Sequence, residues 1–429
     1  MERRFPYPVY NMILFLAWPA LFLYYFLRAR LDGKYRGSYP ARLGLRLPPR
    51  ARNGRRIWVH ALSVGETLSS VALVEALREL HPEAWIGFST STETGGEIAR
   101  RRLGGRVDSF FFLPHDFAWV QARLVERLAP TVFVLVETDL WPNLLIELER
   151  RRVPAFLVNG RISPKSFSRY MRLRPLVGDV LGRFSLIFSQ SPLDKKRYEA
   201  LGMPPERVLA AGNLKFDSSL TPVSPGDVER LREETGIGAE REAWAAGSTH
   251  EGEEEKLLAI HRRLRERRPD LLLILAPRQT RRAEKIEALC AAMGLSVGKR
   301  STGASAAGKA VYLVDTVGEL AFFYAFASVA FIGGSLVPFG GHNPLEATAQ
   351  GKAVLWGPHL FNFRQIEAGL LDAGCGRRVE SPEELSGALE SLLEDRAAGR
   401  AMAGAAAAFL SAHSGYSRKV AQIVLSPLT

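Results

Sequence analysis

An α/β fold is predicted for this chain: two doubly wound, Rossmann-like domains facing a cleft, preceded by a transmembrane helix. Three observations predict it. From Ile57 onward, short apolar runs alternate with amphipathic helical stretches, the pattern of repeated βα units. The alternation breaks at Thr221-Pro222-Val223-Ser224-Pro225-Gly226, which reads as a linker, and then restarts. Ahead of both lies an uncharged run from Val9 to Leu27. A length of 429 residues suits two domains, each with its own core.

The Val9–Leu27 run would span roughly 28 Å as a helix at about 1.5 Å per residue, close to the thickness of a hydrocarbon core. Pro19 kinks such a helix without excluding it. A cleaved signal peptide has a shorter apolar region and a small-residue cleavage site where this chain has Arg28-Ala29-Arg30, so an anchor is expected. The net charge of +12 is concentrated here: residues 1–56 hold 12 of the 57 Lys/Arg and 2 of the 45 Asp/Glu. The near-neutral remainder argues against a nucleic-acid partner, and the basic end suits an anionic membrane surface. Arg28, Arg30, Lys34, Arg36, Arg42 and Arg46 follow the run and only Arg3 and Arg4 precede it, which places the body on the cytoplasmic side. Two cysteines, Cys290 and Cys375, form no disulfide framework or metal cluster and read as inert core residues.

Strands are expected at Ile57–Leu62, Ala84–Ser89, Ser109–Leu113, Thr131–Val136, Ala155–Val158, Leu186–Ser189 and Val208–Ala211. Helices are expected between them at Thr67–Leu80, Phe117–Leu128 and Pro192–Leu201. After the linker, strands are expected at Ala243–Ala246, Leu271–Leu275, Ala310–Val314, Val329–Ile332 and Ala353–Trp356. Glu253–Arg267, Arg281–Met293, Glu319–Phe326 and Pro382–Leu393 supply helices, and 303–308 a flexible loop. The expected domains are the anchor at 1–34, a first domain at 35–220 and a second at 221–429, the last helix packing back on the first domain.

The stretch from Gly333 to Glu346 joins a strand to a helix. Asn343 is the expected N-cap, Pro344 the first helical residue and Glu346 the third. Glycines in such a turn let backbone N–H groups close on a phosphate, and Glu346 can accept from a ribose diol or complete a capping box. Neither half carries G-x-G-x-x-G after its first strand, which argues against a dehydrogenase. In Ser63-Val64-Gly65-Glu66, Gly65 would allow a sharp turn at the cleft end of the first strand. Glu66 is either a helix cap for Ser63 or a general base there, and His60 reads as a packed histidine. Glu137 and Asp139 resemble an acidic pair that shares a hard cation with phosphates, but no further acidic cluster accompanies them, so no metal is expected. Arg161 can meet an anionic substrate or pair with a neighbouring acid.

The motifs Trp58–Thr67, Glu137–Asn143, Gly212–Asp217, Gly247–Glu253, Ala276-Pro277-Arg278 and Gly333–Glu346 occur in one order. With the N-terminal anchor, this set resembles the bacterial 3-deoxy-D-manno-octulosonic acid (Kdo) transferases of lipid A biosynthesis. The resemblance covers nearly the whole chain after the anchor. It implies a GT-B fold and metal-independent, cofactor-free, inverting transfer of Kdo from CMP-Kdo to a lipid A precursor (lipid IVA) at the inner membrane. It implies Glu66 as catalytic base, and a donor side of Lys215, Pro277, Arg278, Gly340, Gly341, Asn343 and Glu346. Ser63, Gly65, Glu137, Asp139, Arg161, Ser248 and His250 are candidates for further substrate contacts. Without the ordered motifs, Lys215 and Arg278 would read as solvated surface. The chain departs from the family in carrying Asp139 where Glu is common and Gln279 where a histidine follows the Pro-Arg pair. Other expectations to be weighed are a different GT-B transferase acting on a lipid-linked acceptor, such as a UDP-sugar enzyme, and a non-catalytic nucleotide sensor.

Overall fold

The structure, a computed structural model, describes residues 7–31, 35, 37–137, 139–219 and 223–426. Arg3, Arg4, Lys34, Arg36, Thr138, Thr221 and Pro222 of the sequence reading lie outside the described residues. The chain divides into two compact units. One comprises the described residues up to Ser218 together with the segment from His413, and the other is Ser219–Ala412.

In the first unit, seven parallel strands form one sheet: β1 (Arg56–Ala61), β2 (Trp85–Thr90), β3 (Ser109–Phe112), β4 (Val132–Val136), β5 (Ala155–Gly160), β6 (Leu186–Ser189) and β7 (Val208–Ala210). Their order is β3-β2-β1-β4-β5-β6-β7. A parallel sheet covered on both faces needs continuous apolar strands, and all five residues of Val132–Val136 are buried. The helix expected at Thr67–Leu80 begins earlier and is split, as Val64–Ser69 and Val71–Leu80. The C-terminal helix Tyr416–Leu425 buries Val420, Ala421, Val424 and Leu425 in the core that contains Leu73, Leu77 and Val134. Asp217 fastens its start, accepting from Gly415 N–H at 2.7 Å and Ser417 N–H at 2.5 Å.

The second unit holds another seven-stranded parallel sheet: β8 (Ala243–Thr249), β9 (Leu272–Pro277), β10 (Val297–Lys299), β11 (Val311–Leu313), β12 (Val329–Ile332), β13 (Ala353–Trp356) and β14 (Gly376–Arg378). The order is β10-β11-β9-β8-β12-β13-β14. β10 and β14 escape the sequence reading because they are three-residue edge strands, with one apolar residue in Val-Gly-Lys and none in Gly-Arg-Arg. The described part of the expected linker is a helix start: Ser224 caps Pro225–Thr235, its hydroxyl accepting from Asp227 N–H at 3.1 Å. The expected flexible loop at 303–308 is pinned. Ala306 is buried, its N–H donates to Thr235 O at 2.7 Å, and its carbonyl accepts from Arg241 at 2.6 Å.

Leu425→Ala should destabilise the first unit by about 2–5 kcal/mol, the usual cost of emptying a buried leucine site. Ile423→Ala, on the exposed side of the same helix, should cost about 0.5 kcal/mol or less. Urea unfolding followed by tryptophan fluorescence would compare the two.

Candidate active site

In an open parallel sheet, ligands bind outside the carboxyl ends of the strands where the strand order reverses. The first sheet reverses between β1 and β4, which lie side by side. Ser63 to Glu66 follow β1, and Glu137 and Asp139 follow β4. Ser63 and Glu66 form the capping box, Ser63 N–H donating to Glu66 Oε2 at 2.6 Å. The Glu66 carboxyl is pushed up to about 7, first by burial and then by the neighbouring Glu137 charge, against the lowering effect of the Ser63 N–H. Asp139 is raised in the same direction, again by burial first.

Glu137 carries a left-handed backbone at φ +70°, a strained conformation for a residue with a side chain. Its Oε1 accepts from Asn159 Nδ2 at 3.5 Å and lies 3.9 Å from Lys215 Nζ. Asn159, at φ +60°, accepts from Leu214 N–H at 3.1 Å, so β5 and the Leu214–Ser219 helix are tied to the same corner. Lys215 therefore belongs to the first unit, and Arg278 to the second. Glu137, Arg161, Ile162, Ser163, Ser166 and Tyr170 line a cavity of about 180 Å³. Arg161 is exposed and makes no ion pair among the described residues. His60 is packed as expected: it is buried, Nδ1 lies 2.9 Å from Ser89 Oγ, and burial lowers its pKa to about 3.

Gly65 does not make the sharp turn expected of it. It sits in a right-handed helical turn, exposed, where an added Cβ would meet nothing within 4 Å. Neither sterics nor φ requires glycine there, and glycine in a helix costs roughly 0.5–1 kcal/mol relative to alanine.

The second sheet reverses between β8 and β12. Here a buried carboxylate organises the glycine-rich turn. Glu253 Oε2 accepts from His250 N–H at 2.9 Å and Gly334 N–H at 2.7 Å, and Oε1 from Ser335 N–H at 3.0 Å and Leu336 N–H at 2.9 Å. The first N–H groups of the turn are thus occupied by the chain's own carboxylate, and Gly341 N–H donates to Gly334 O at 2.9 Å. That corrects the expectation that those groups cradle a phosphate. Gly333 has to be glycine, since a Cβ would come within 2.5 Å of Ser248 O, and Ser248 itself is left-handed at φ +57°. The helix after the turn is one turn long, Leu345–Thr348, and Pro344 stands at its cap. Asn343 is one residue too early for the expected N-cap, although its Oδ1 accepts from Leu345 N–H at 3.2 Å. So short a helix has little dipole to offer an anion.

A cavity of about 520 Å³ opens in this corner, lined by His250, Arg278, Gln279, Val317, Phe339, Gly341, His342 and Asn362. His250 Nε2 and His342 Nε2 are 2.8 Å apart, and Phe339 stacks on His250 with centroids 3.9 Å apart. Burial lowers both imidazoles, His342 to about 4, with Arg278 adding to the shift. Burial thus favours the neutral form of both rings, and Arg278 supplies the positive charge of the lining. Its guanidinium makes no ion pair among the described residues, and its backbone N–H donates to Thr249 O at 3.0 Å. Pro277 ends β9 beside it. Of the residues expected on this side, Arg278, Gly341 and His250 line the cavity. Gly340, Asn343, Glu346, Pro277 and Ser248 are not among its lining residues. Glu253, His342 and Phe339 were not singled out from sequence. The spacing His250-x-x-Glu253 carried a partial signal, since a Glu three residues on that accepts a backbone N–H is the acidic half of a capping box. Among the described residues no three His, Cys, Asp or Glu side chains converge as metal ligands.

A family model described as 3-deoxy-D-manno-octulosonic-acid transferase (kdotransferase) matches residues 37–218. The 3-deoxy-D-manno-octulosonic acid transferase of Haemophilus influenzae is 33% identical over 389 residues, 90% of each chain. That of Bordetella pertussis is 33% identical over 423 residues, 96% of this chain and 97% of the relative. The solved UDP-GlcNAc 2-epimerase from Neisseria meningitidis superposes with a TM-score of 0.61 over 87% of this chain and 99% of its own, at 10% identity, a likeness of fold alone. The two Rossmann-like parallel sheets give the fold of the GT-B class, and the named transferase relatives make the chain a glycosyltransferase. The chain belongs to the Kdo transferase family.

Glu253→Gln would turn one of its acceptor oxygens into a donor facing backbone N–H groups. It should destabilise the second unit by about 1–3 kcal/mol, the cost of leaving a buried polar group unsatisfied. Glu255→Gln, on the exposed side of the same helix, should be neutral in the same urea titration.

Proposed function

We propose that this transferase moves Kdo from CMP-Kdo to a lipid A precursor, lipid IVA, with inversion at the anomeric carbon, on the cytoplasmic face of the bacterial inner membrane. The observation that carries the reading is the placement of Glu66 after the strand-order reversal, its Oε2 held by Ser63 N–H at 2.6 Å, where burial and the Glu137 charge push its carboxyl up to about 7. A general base works best when its pKa lies near the working pH. Glu66 accepts the proton of the attacking acceptor hydroxyl, and Oε2 stays oriented by Ser63 N–H. The anomeric carbon of Kdo is quaternary and bears a carboxylate, so departure of CMP runs ahead of attack. In the second unit, Arg278 neutralises the departing phosphate, and the neutral His250–His342 pair with Phe339 supplies a flat, dry wall. Glu346 reaches the ribose.

In the first unit, Gly65 leaves the approach to Glu66 uncovered, and Lys215 offsets the Glu137 charge. Arg161, Ser163 and Ser166 offer an anionic acceptor group a basic and hydroxylic cavity. Attachment to the inner membrane is supported by the helix Tyr7–Leu31, which is long and apolar enough to cross a bilayer, with a mean hydropathy of 1.6. The basic excess that follows this helix supports the cytoplasmic side, whose leaflet carries the anionic lipids.

Incubation of the purified protein with CMP-Kdo and lipid IVA should yield a Kdo-bearing lipid by mass spectrometry, and no such product from any donor would overturn the reading. Glu66→Gln should keep the fold and lower kcat by roughly 10²–10⁴-fold. Because the base acts deprotonated, kcat/KM should climb about tenfold per pH unit below about 7 and level above it. The variant should lose that limb; a variant with near-normal turnover would leave Glu66 as a helix cap alone.

Glu346→Ala should weaken CMP binding measured by calorimetry while leaving acceptor KM nearly unchanged. Equal CMP affinity in variant and parent would remove Glu346 from the ribose.

A further inference from the structure

The helix Tyr7–Leu31 is fastened to the first unit near both of its ends. At its start, Tyr7 Oη donates to Asp179 Oδ2 at 3.0 Å and accepts from Arg183 Nε at 2.8 Å. One turn on, Tyr10 Oη donates to Asp116 Oδ2 at 3.0 Å, and Asn11 Oδ1 accepts from Asn143 Nδ2 at 2.6 Å. Toward its end, Tyr25 Oη lies 3.1 Å from His115 Nε2, and Tyr25 and Ala29 are buried. Between these ends, half-covered residues recur every three or four positions, at Leu14, Trp18 and Leu21. The other face is bare and uncharged from Val9 to Leu27, with Ile13 58%, Phe15 66% and Leu16 69% exposed.

We propose that this helix lies in the plane of the cytoplasmic leaflet, along the side of the first unit. Its bare face enters the acyl chains of an anionic phospholipid membrane, and its other face rests on protein. The proposal builds on the membrane attachment proposed above. Tyr7 and Tyr25 are about 27 Å apart at about 1.5 Å per residue, nearly the thickness of the hydrocarbon core. A helix crossing the bilayer would therefore carry Tyr7, Tyr10 and Asn11 to the far side. Their partners would have to follow into hydrocarbon or lose their hydrogen bonds, and both are costly. The partners cannot follow. Asp116 is 4% exposed and also accepts from Asn143 N–H at 2.8 Å and Leu144 N–H at 3.0 Å, so it belongs to the folded body.

An in-plane helix free in water and lipid normally needs a charged face. Here protein covers that face, and neutral side chains such as Tyr10 and Asn11 suffice. Arg28 and Arg30 at the end of the helix, and the basic residues that continue to Arg56, give the anionic headgroups their counter-charge.

The test is cysteine topology mapping of the full chain in the native cysteine background. Cys290 and Cys375 are buried and their thiols are pushed up to about 11, so they stay silent. Pro8→Cys and Leu31→Cys each place one thiol at an exposed end of the helix. With a membrane-impermeant maleimide, both should label in inside-out inner-membrane vesicles and neither in spheroplasts. Labelling of Pro8→Cys from spheroplasts alone would mean that the helix crosses, and would overturn the proposal while leaving attachment intact. Recovery of the full chain in the soluble fraction at low salt would overturn attachment and the proposal together. A second arm pairs Asn11→Cys with Asn143→Cys and adds copper phenanthroline to intact membranes. Most chains should form the intramolecular disulfide, and its absence in membranes, with formation in detergent, would overturn the side-on arrangement.

Discussion

The reversal of strand order in each parallel sheet is the constraint on which the rest of this structure depends. On either side of a reversal, right-handed crossovers lead to opposite faces of the sheet, so the loops leaving the two adjacent strands part and open a space above their carboxyl ends. β1 and β4 open one such space and β8 and β12 the other. Ser63–Glu66, Glu137 and Asp139 hang over the first, and Ser248, His250 and the glycine-rich turn over the second. The apolar strands beneath serve this geometry, since β1, β4, β8 and β12 lie almost wholly within the core. Three of the six left-handed, non-glycine residues among those described, Glu137, Asn159 and Ser248, stand at the carboxyl ends of strands.

Each space holds a carboxylate, Glu253 buried and Glu66 half-buried, and the two are handled differently. Glu253 is 0% exposed and receives four backbone N–H groups, which fill its acceptor sites and lock the turn that follows β12. Glu66 receives one backbone N–H and faces the charge of Glu137. The first arrangement consumes the hydrogen-bonding capacity of the carboxylate and makes it part of the scaffold. The second leaves an oxygen without that support, and burial first, then repulsion from Glu137, raises its affinity for a proton. A carboxylate of the second kind is suited to proton transfer, and one of the first kind to holding a loop still.

The sheets were legible in the sequence because parallel strands buried on both faces are written as apolar runs, as in Val132–Val136 and Val329–Ile332. β10 and β14 were not, because edge strands need no apolar run and their pairing is decided by neighbours distant in sequence. Ser224-Pro225-Gly226 was misread for a related reason: the residues that mark a linker also start a helix, and only the acid at Asp227 and the apolar Leu231 separate the two. Of the sites, the strand-end motifs were legible and their partners were not. Glu253 had the spacing of a cap, but its grip on Gly334, Ser335 and Leu336 links positions about eighty residues apart, which no local pattern encodes. The closeness of His342 to His250 is hidden for the same reason.

The two readings of Glu66, cap and base, turn out to be compatible. The hydrogen bond from Ser63 satisfies a helix start and also fixes where the carboxylate points. A cap alone would be served by an ordinary carboxylate pKa, and it would be disfavoured by a second acid placed nearby. Glu137 is placed nearby all the same, on a backbone conformation that costs energy. Gly65, one residue before Glu66, accepts a helix penalty that neither its φ nor its surroundings demand. Natural sequences keep such local conflicts where function compensates for them, and three of them meet within one corner of the first sheet. Their convergence favours chemistry at Glu66 over helix capping alone, because capping explains only the hydrogen bond.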